Sequence, residues 1–169
     1  MEFKVGNAVV HMAEGVCRIE AIAEKTFDGR TDEYYVLRSV YNDRSTVYIP
    51  VETVKNRPKI RPVLLKEEID GIIRVLPEAS AVSAENDNAR RQLFKEILCS
   101  GDNGGVARVL KTIYGLKTKP VASGKKMRVS DERIVRETEQ LLFSEFAYSL
   151  GITPEEIPAY IEEHIGKTA

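Results

Sequence analysis

The chain has 169 residues, of which 43% are hydrophobic and 30% charged, and its formal net charge is -1. This composition is ordinary for a soluble protein of one medium or two small domains, and it excludes disorder over the whole length. The amino terminus lacks the features of a secretory signal, and charges interrupt every long apolar run, so we expect a cytoplasmic protein without a membrane partner.

The first sixty or so residues predict a small β module. Apolar and charged residues alternate in segment 15–25, and segments 32–41 and 45–51 are rich in the β-branched and aromatic residues that suit pleated sheets. Pairs of turn-forming residues separate the strands: Gly6-Asn7, Asp28-Gly29 and Asn42-Asp43. Because four or five short strands on so few residues must curl to bury a core, the pattern predicts an SH3-like or Tudor-like β-barrel.

The pattern changes at "NRPKIRPV". Pro58 and Pro62 disfavour helix and hold the backbone extended, so we place the domain boundary there, with one domain at residues 1–62 and the other at 63–169. Downstream the apolar residues recur at helical spacing. They form three groups: Ile69, Ile72, Ile73 and Leu76, then Leu93, Phe94, Ile97 and Leu98, then Val106, Val109, Leu110 and Ile113.

Caps and breakers predict where these helices begin and end. Gly101 ends one helix and Asp102 caps the next, which predicts a helical hairpin. A basic segment at 115–128 contains Pro120 and Gly124 and predicts a mobile loop.

The remaining sequence predicts two further helices. The longest helix begins near Ser130 and ends at Gly151. A last helix is capped by Thr153, with Pro154 in its first turn and an apolar stripe of Ile157, Ile161 and Ile165. The fold class predicted for the whole chain is α+β with two domains, the second being a compact all-α module of about five helices.

Positive charge is concentrated in one block. Residues 90–136 carry 12 basic and 4 acidic side chains, a net charge of +8 in a chain whose total is -1. A solvated surface usually mixes the two signs, so this block favours a polyanionic partner over a surface that is merely basic.

Catalytic and metal-binding patterns are not evident in the sequence. His11 and His164 are predicted in a strand and in the last helix, without a serine or cysteine at catalytic spacing. Cys17 and Cys99 lie far apart among apolar neighbours and predict buried reduced thiols. We therefore expect no enzymatic activity, no metal and no cofactor.

Four stretches resemble the CarD/CdnL family of bacterial transcription regulators: "FKVGNAVVHMAEGVCRIEAI", "EYYVLR", "VYIPVETV" and "RRQLFKEILCSGD". The resemblance extends over nearly the entire chain. It implies a Tudor-like domain that docks on the RNA polymerase β subunit and a helical domain that contacts promoter DNA. The amino-terminal module also resembles the polymerase-interacting domain of transcription-repair coupling factors.

The resemblance implies contact residues for RNA polymerase. They are Lys25, Phe27 and Tyr48, and Thr46 joins them because it alternates with Tyr48 along the same strand. An exposed edge strand at "RSTVYIP" would offer unpaired backbone groups to the partner. The mycobacterial branch of the family has arginine at the position of Tyr48, so this chain departs from it there. That Tyr48 is an ordinary surface aromatic is an alternative of equal weight to a polymerase contact.

The implied DNA-facing residues lie in the basic block or, in the case of Asn88, two residues before it. They are Asn88, Arg90, Arg91, Lys95, Lys125, Lys126 and Arg128. The alternative for the arginines is pairing with Asp87, Glu85 or another carboxylate. Well-studied members have a tryptophan where this chain has Asn88, and an amide either hydrogen-bonds a base edge or, as we favour, caps its own helix.

Two functions follow from these residues. The first is a monomeric regulator that binds the RNA polymerase β subunit and contacts the promoter backbone to modulate initiation complexes. The alternative is a protein-binding adaptor without a significant DNA role, favoured by the missing tryptophan and the overall acidity.

Overall fold

The computed structural model describes residues 2–42, 44–56 and 59–165. The chain divides into two compact units, residues 1–63 and 64–169. The first unit contains an antiparallel sheet and the second is helical, so the predicted α+β fold class is confirmed. Asp43, part of a predicted turn, and Pro58, part of the predicted domain boundary, lie outside the described residues.

The sheet unit has five strands and one short helix. The strands are β1 (Ala8–His11), β2 (Gly15–Phe27), β3 (Arg30–Ser39), β4 (Thr46–Pro50) and β5 (Ile60–Pro62), and the helix α1 spans Val51–Asn56. The strand order is β4-β3-β2-β1-β5, with antiparallel neighbours throughout.

The β2–β3 hairpin is the longest pairing of the sheet. It closes at Phe27 and Arg30 through Asp28 and Gly29, whose φ angles are 50° and 74°. Two positive φ angles in a two-residue loop match the right-handed strand twist, and aspartate followed by glycine tolerates them. The turn predicted there is confirmed.

One face of the sheet forms the core of this unit. Alternation along the strands turns Ile19, Leu37 and Ile49 to that face, where each is buried, and Tyr35 lies among them. The segment "NRPKIRPV" is more than the linker that its prolines suggest. Its residues Ile60–Pro62 form β5, which pairs with β1, because proline is tolerated on an edge strand.

The helical unit has five α-helices among its described residues. They are α2 (Lys66–Val75), α3 (Asp87–Ser100), α4 (Asn103–Ala122), α5 (Val129–Leu150) and α6 (Ile157–His164). Short 3-10 turns at Leu76–Glu78 and Pro154–Glu156 follow α2 and precede α6. The prediction of about five helices is confirmed. None of the described helices is both long and apolar enough to span a membrane.

The α3–α4 hairpin has the predicted turn. Gly101 ends α3 with a φ angle of 68°, and the Asp102 carboxylate accepts a hydrogen bond of 2.8 Å from the Gly105 backbone N–H. Gly105 also permits close approach of the helices, since a Cβ there would lie 2.7 Å from Cγ2 of Ile97. The apolar residues predicted for α4, from Val106 to Ile113, are buried.

The predicted loop at 115–128 is wrong over most of its length, because α4 continues through Ala122 with Pro120 inside it. Pro120 stands in the last turn, where the missing N–H and the clash with the preceding turn disturb few bonds. Gly124, with a φ angle of 70°, then ends the helix. Its N–H donates to Val121 and that of Lys125 donates to Pro120, which satisfies the last carbonyl groups.

The last two helices follow the predicted pattern with two exceptions, the first being that Thr153 caps the 3-10 turn Pro154–Glu156 and not α6 itself, which begins at Ile157. Gly151 ends α5 with a φ angle of 71°, and the Thr153 N–H donates to the Glu156 carboxylate at 2.8 Å. Ile157 is fully buried, whereas Ile165 lies beyond the end of α6 and is exposed. The predicted apolar stripe of α6 therefore does not include Ile165.

Candidate functional site

Strand register brings three of the four predicted polymerase-contact residues together on the solvent side of the sheet. Tyr48 lies opposite Val36, and Phe27 and Lys25 lie on the paired β2–β3 ribbon with side chains on the same face. Phe27 is 45% exposed and Tyr48 is 42% exposed. Large apolar side chains this exposed, and adjacent, are unusual outside a contact surface.

The rings of this surface contact one another. The Phe27 ring centroid lies 5.6 Å from that of Tyr48 and 5.2 Å from that of Tyr34, each in an edge-on arrangement. The Lys25 ammonium lies 5.9 Å from the Tyr48 ring centroid, within range of a cation–π contact. We call Lys25, Phe27, Tyr34 and Tyr48 the aromatic face.

Tyr34 is the member that sequence reasoning missed. Its place follows from register, because the Asp28-Gly29 turn fixes Tyr34 opposite Ala23 and hence on the side of Lys25 and Phe27. Counting back from that turn places Tyr34 on the solvent side, where it is half-buried, and Tyr35 on the buried side.

Thr46 belongs to the same strand surface but not to the ring cluster. It lies opposite Arg38, whose guanidinium forms an ion pair of 2.7 Å with Glu20. Among the described residues β4 pairs with β3 alone, so the outer edge of β4 faces away from the sheet. An edge of this kind can accept a partner strand through its backbone groups.

In the helical unit, two arginines of the predicted DNA-facing set are held by carboxylates. The Arg90 guanidinium lies 2.6 Å from Asp131 and 3.4 Å from Asp87. The Arg90 side chain is 15% exposed and that of Asp131 is 9% exposed, so this ion pair is largely buried. The buried Nε of Arg90 has no hydrogen-bond partner among the described residues. Arg90 thus has a structural place between α3 and α5.

Arg128 shares the same two carboxylates from the solvent side. Its guanidinium lies 3.1 Å from Asp131, through both Nε and Nη2, and 3.2 Å from Asp87. The hydrogen bond from Arg128 is the largest influence that lowers the pKa of Asp131, opposed by burial and assisted by Arg90. The Asp87 pairing of Arg90 is the alternative that the sequence suggested, whereas Asp131 was not anticipated.

Four other predicted cations have no ion pair within the described ranges. Arg91 is half-buried, and Lys95, Lys125 and Lys126 are exposed. The Arg128–Asp87 contact ties the loop that carries Lys125 and Lys126 to the start of α3, the helix that carries Arg91 and Lys95. We call Arg91, Lys95, Lys125, Lys126 and Arg128 the basic corner.

Asn88 does not cap its helix, and this prediction is wrong. Asn86 is the cap, and its side-chain oxygen accepts a hydrogen bond of 2.8 Å from the Ala89 N–H. Asn86 has the extended backbone that a cap requires, whereas Asn88 already lies in the first turn. Asn88 is exposed beside Asp87, at the rim of the basic corner.

The histidines and cysteines have ordinary surroundings. His11 is half-buried at the end of β1, where Nδ1 accepts from the N–H groups of Ala13 and Glu14, and burial lowers its pKa. Burial raises the pKa of Cys17 to about 11, so the thiol stays protonated. Cys99 is half-buried, which corrects the prediction of full burial. No three side chains of His, Cys, Asp or Glu converge on a metal position in the described part.

A sheet module followed by a helical module, each carrying its own exposed surface, defines a two-domain α+β protein. The CarD-like/TRCF RID domain family matches residues 3–64, and the family "CarD, C-terminal domain" matches residues 71–162. The chain therefore belongs to the CarD family, which confirms the resemblance. It is also 24% identical over 158 residues to "Putative transcription factor YdeB" of Bacillus subtilis (strain 168), covering 94% of this chain and 99% of that protein.

Proposed function

We propose that the protein regulates transcription initiation as a non-catalytic factor. In this proposal the aromatic face and the edge of β4 bind the RNA polymerase β subunit, and the basic corner binds the backbone of promoter DNA. Family membership and the relative named as a transcription factor support the regulatory role. The two surfaces supply the proposed contacts.

The observation that carries the DNA contact is the set of available cations on α3 and in the loop before α5. Arg91, Lys95, Lys125 and Lys126 form no ion pair within the described residues, although carboxylates are abundant in the chain. Each cation that neutralises a phosphate releases condensed counterions, which makes such a surface effective at physiological salt. The positive ends of the α3 and α5 dipoles favour anions in the same place.

The contact is proposed to be with phosphates rather than with an opened base step. Asn88, at the position of the family's tryptophan, is exposed but lacks an apolar stacking face. Arg90 is committed to Asp131, so Arg91 and not Arg90 is the member of the arginine pair assigned to DNA. Binding should therefore depend strongly on salt and weakly on sequence.

The polymerase contact is tested by co-elution of the full chain with a β-lobe fragment of the host RNA polymerase on a sizing column. We expect one peak containing both proteins, and separate elution of the two would contradict the proposed partner. If the complex forms without DNA, the polymerase contact is separate from the DNA contact of the basic corner.

The DNA contact is tested by the salt dependence of binding to promoter duplex. Replacing Arg91 and Lys95 with glutamine should weaken binding and reduce the log–log salt slope by about 0.9 for each phosphate that is no longer neutralised. The Arg136→Gln variant is the control, because Arg136 is exposed on α5 without an ion pair in the described residues and lies about two turns beyond its start. An unchanged slope together with intact polymerase binding would favour the adaptor function instead.

A further inference from the structure

The two ion pairs that join α3 to α5 differ sharply in exposure. Arg90 and Asp131 form an inner pair, 15% and 9% exposed, whereas Arg128 and Asp87 form an outer pair, 64% and 51% exposed. The outer pair spans 3.2 Å between Nη2 of Arg128 and Oδ1 of Asp87. The inner pair is fixed by burial, while water reaches both partners of the outer pair.

Asp131 fixes the direction of the Arg128 side chain. Nε of Arg128 donates to one oxygen of Asp131 and Nη2 donates to the other, both at 3.1 Å, so one edge of the guanidinium is held. A guanidinium has five N–H donors in a rigid fork, which leaves further donors for a second anion. Asp87 is the second anion in the free protein.

Asp87 has no capping role that would explain its contact with Arg128. Asn86 caps α3, and the Arg90 guanidinium, 3.4 Å from Asp87, already has its shorter contact with Asp131. Exposed ion pairs contribute little stability, so exchange of the Asp87 carboxylate for another anion would disturb the fold little. A DNA phosphate is such an anion, and its two non-bridging oxygens can accept parallel hydrogen bonds from a guanidinium.

We propose that Asp87 is a displaceable internal ligand of Arg128 that competes with the DNA phosphate for it and so lowers the affinity of the basic corner. The inference rests on the proposed DNA contact and concerns its regulation. Asp131 is then a positioning residue, since it keeps Arg128 oriented while its outer partner changes. In the free protein the corner is partly neutralised, and full positive charge is available only when a phosphate replaces Asp87.

The test is binding of the full chain and its Asp87→Asn variant to promoter duplex over a range of salt concentrations. Release of Arg128 should tighten binding about three-fold at moderate salt and steepen the salt slope by about 0.9, the value of one more neutralised phosphate. The Glu132→Gln variant is the matched control, because Glu132 is an exposed acid in the first turn of α5 with no ion pair in the described residues. It removes the same charge without releasing an arginine.

The Arg128→Gln background separates competition from general repulsion. If Asp87 acts through Arg128, Asp87→Asn should change affinity in that background no more than Glu132→Gln does. An equal gain from both single variants, or a gain from Asp87→Asn that persists without Arg128, would overturn the inference. Asp87→Ser, which keeps a polar group at the helix start, should repeat the gain and guards against an artefact of the asparagine.

Failure of the proposed function would look different. If the chain shows no salt-dependent binding, and the Arg91 and Lys95 replacements change nothing, the DNA contact itself is wrong and the inference fails with it. If those replacements weaken binding while Asp87→Asn behaves as its control, only the role of Asp87 is wrong. Thermal unfolding of each variant verifies that the fold is retained.

Discussion

The aromatic face and the basic corner differ in how much of each surface is available to a partner. On the sheet, Phe27 packs edge-on against both Tyr34 and Tyr48, and Phe27 and Tyr48 remain substantially exposed. In the helical unit, Arg90 and Arg128 are occupied by two aspartates. Aromatic rings that pack against one another still leave apolar surface for a partner to contact, whereas an ion pair leaves less charge available to a partner.

This difference shows that a count of cations overstates a basic surface. The block 90–136 carries a net charge of +8, yet part of its positive charge is matched by carboxylates beyond the block, such as Asp87 and Glu139. Both surfaces can be perturbed separately, because they lie in different compact units.

The largest expected effect is on the stability of the helical unit. Asp131→Leu removes the partner of a buried arginine and should lower the free energy of unfolding by about 2 to 3 kcal/mol. Urea denaturation measures this, with Glu132→Gln as the exposed neighbouring control. The double replacement Arg90→Met with Asp131→Leu should recover part of the loss, because it leaves no unpaired buried charge. If Asp131→Leu proves as stable as its control, the buried ion pair of Arg90 and Asp131 does not stabilise the helical unit.

Acid titration gives a second measure of the same ion pair. The pKa of Asp131 lies below its usual value of 3.8 in the folded protein, so the unfolded chain binds the proton more readily. Its contribution to stability is therefore complete above that value and is lost as the pH falls through the lower, folded pKa. Asp131→Asn should show a shallower decline of unfolding free energy below about pH 4 than the parent does. Parallel declines would mean that other acids dominate the titration.

A smaller effect is expected on the sheet. Tyr48→Ala should weaken binding to the β-lobe fragment about ten-fold, because aromatic anchors near the centre of an interface typically contribute more than 1 kcal/mol each. Tyr114→Ala is the control, since Tyr114 is an exposed tyrosine of the helical unit. Calorimetric titration distinguishes the two, and equal affinities for both variants would make Tyr48 an ordinary surface ring. The basic corner should be unaffected by either change.

Local chemistry accounts for what could be predicted from the sequence. Asp28-Gly29, Gly101-Asp102 and Gly151 define turns and caps through their own backbone preferences, and each lies where expected. The aromatic face follows from the first of these turns, because strand alternation fixes every side chain once the register is known.

Long-range packing accounts for what could not be predicted. Asp131 is 41 residues from Arg90, so no spacing rule identifies the pair. The extra turns of α4 were missed because Pro120 suggests an end that Gly124 supplies only later, and Asn86 was missed as a cap because Asn88 is two residues nearer the arginines. In the last two cases two local signals competed, and the hydrogen bonds at Gly124 and Asn86 show which of them ends or begins the helix.

The smallest expected effect concerns Lys25 on the aromatic face. Lys25→Gln should weaken binding to the β-lobe fragment about two-fold at low salt, since an exposed cation contributes at most about 1 kcal/mol. If the ammonium acts by contact with the Tyr48 ring, the effect should disappear in the Tyr48→Ala background and should vary little with salt. If it instead meets a carboxylate of the partner, the effect should persist there and fade as the salt concentration rises. We expect the second result, because the 5.9 Å distance to the ring centroid is near the limit of a useful cation–π contact. The aromatic face would then combine an apolar anchor that is insensitive to salt with one cation that is not, whereas the basic corner depends on salt throughout.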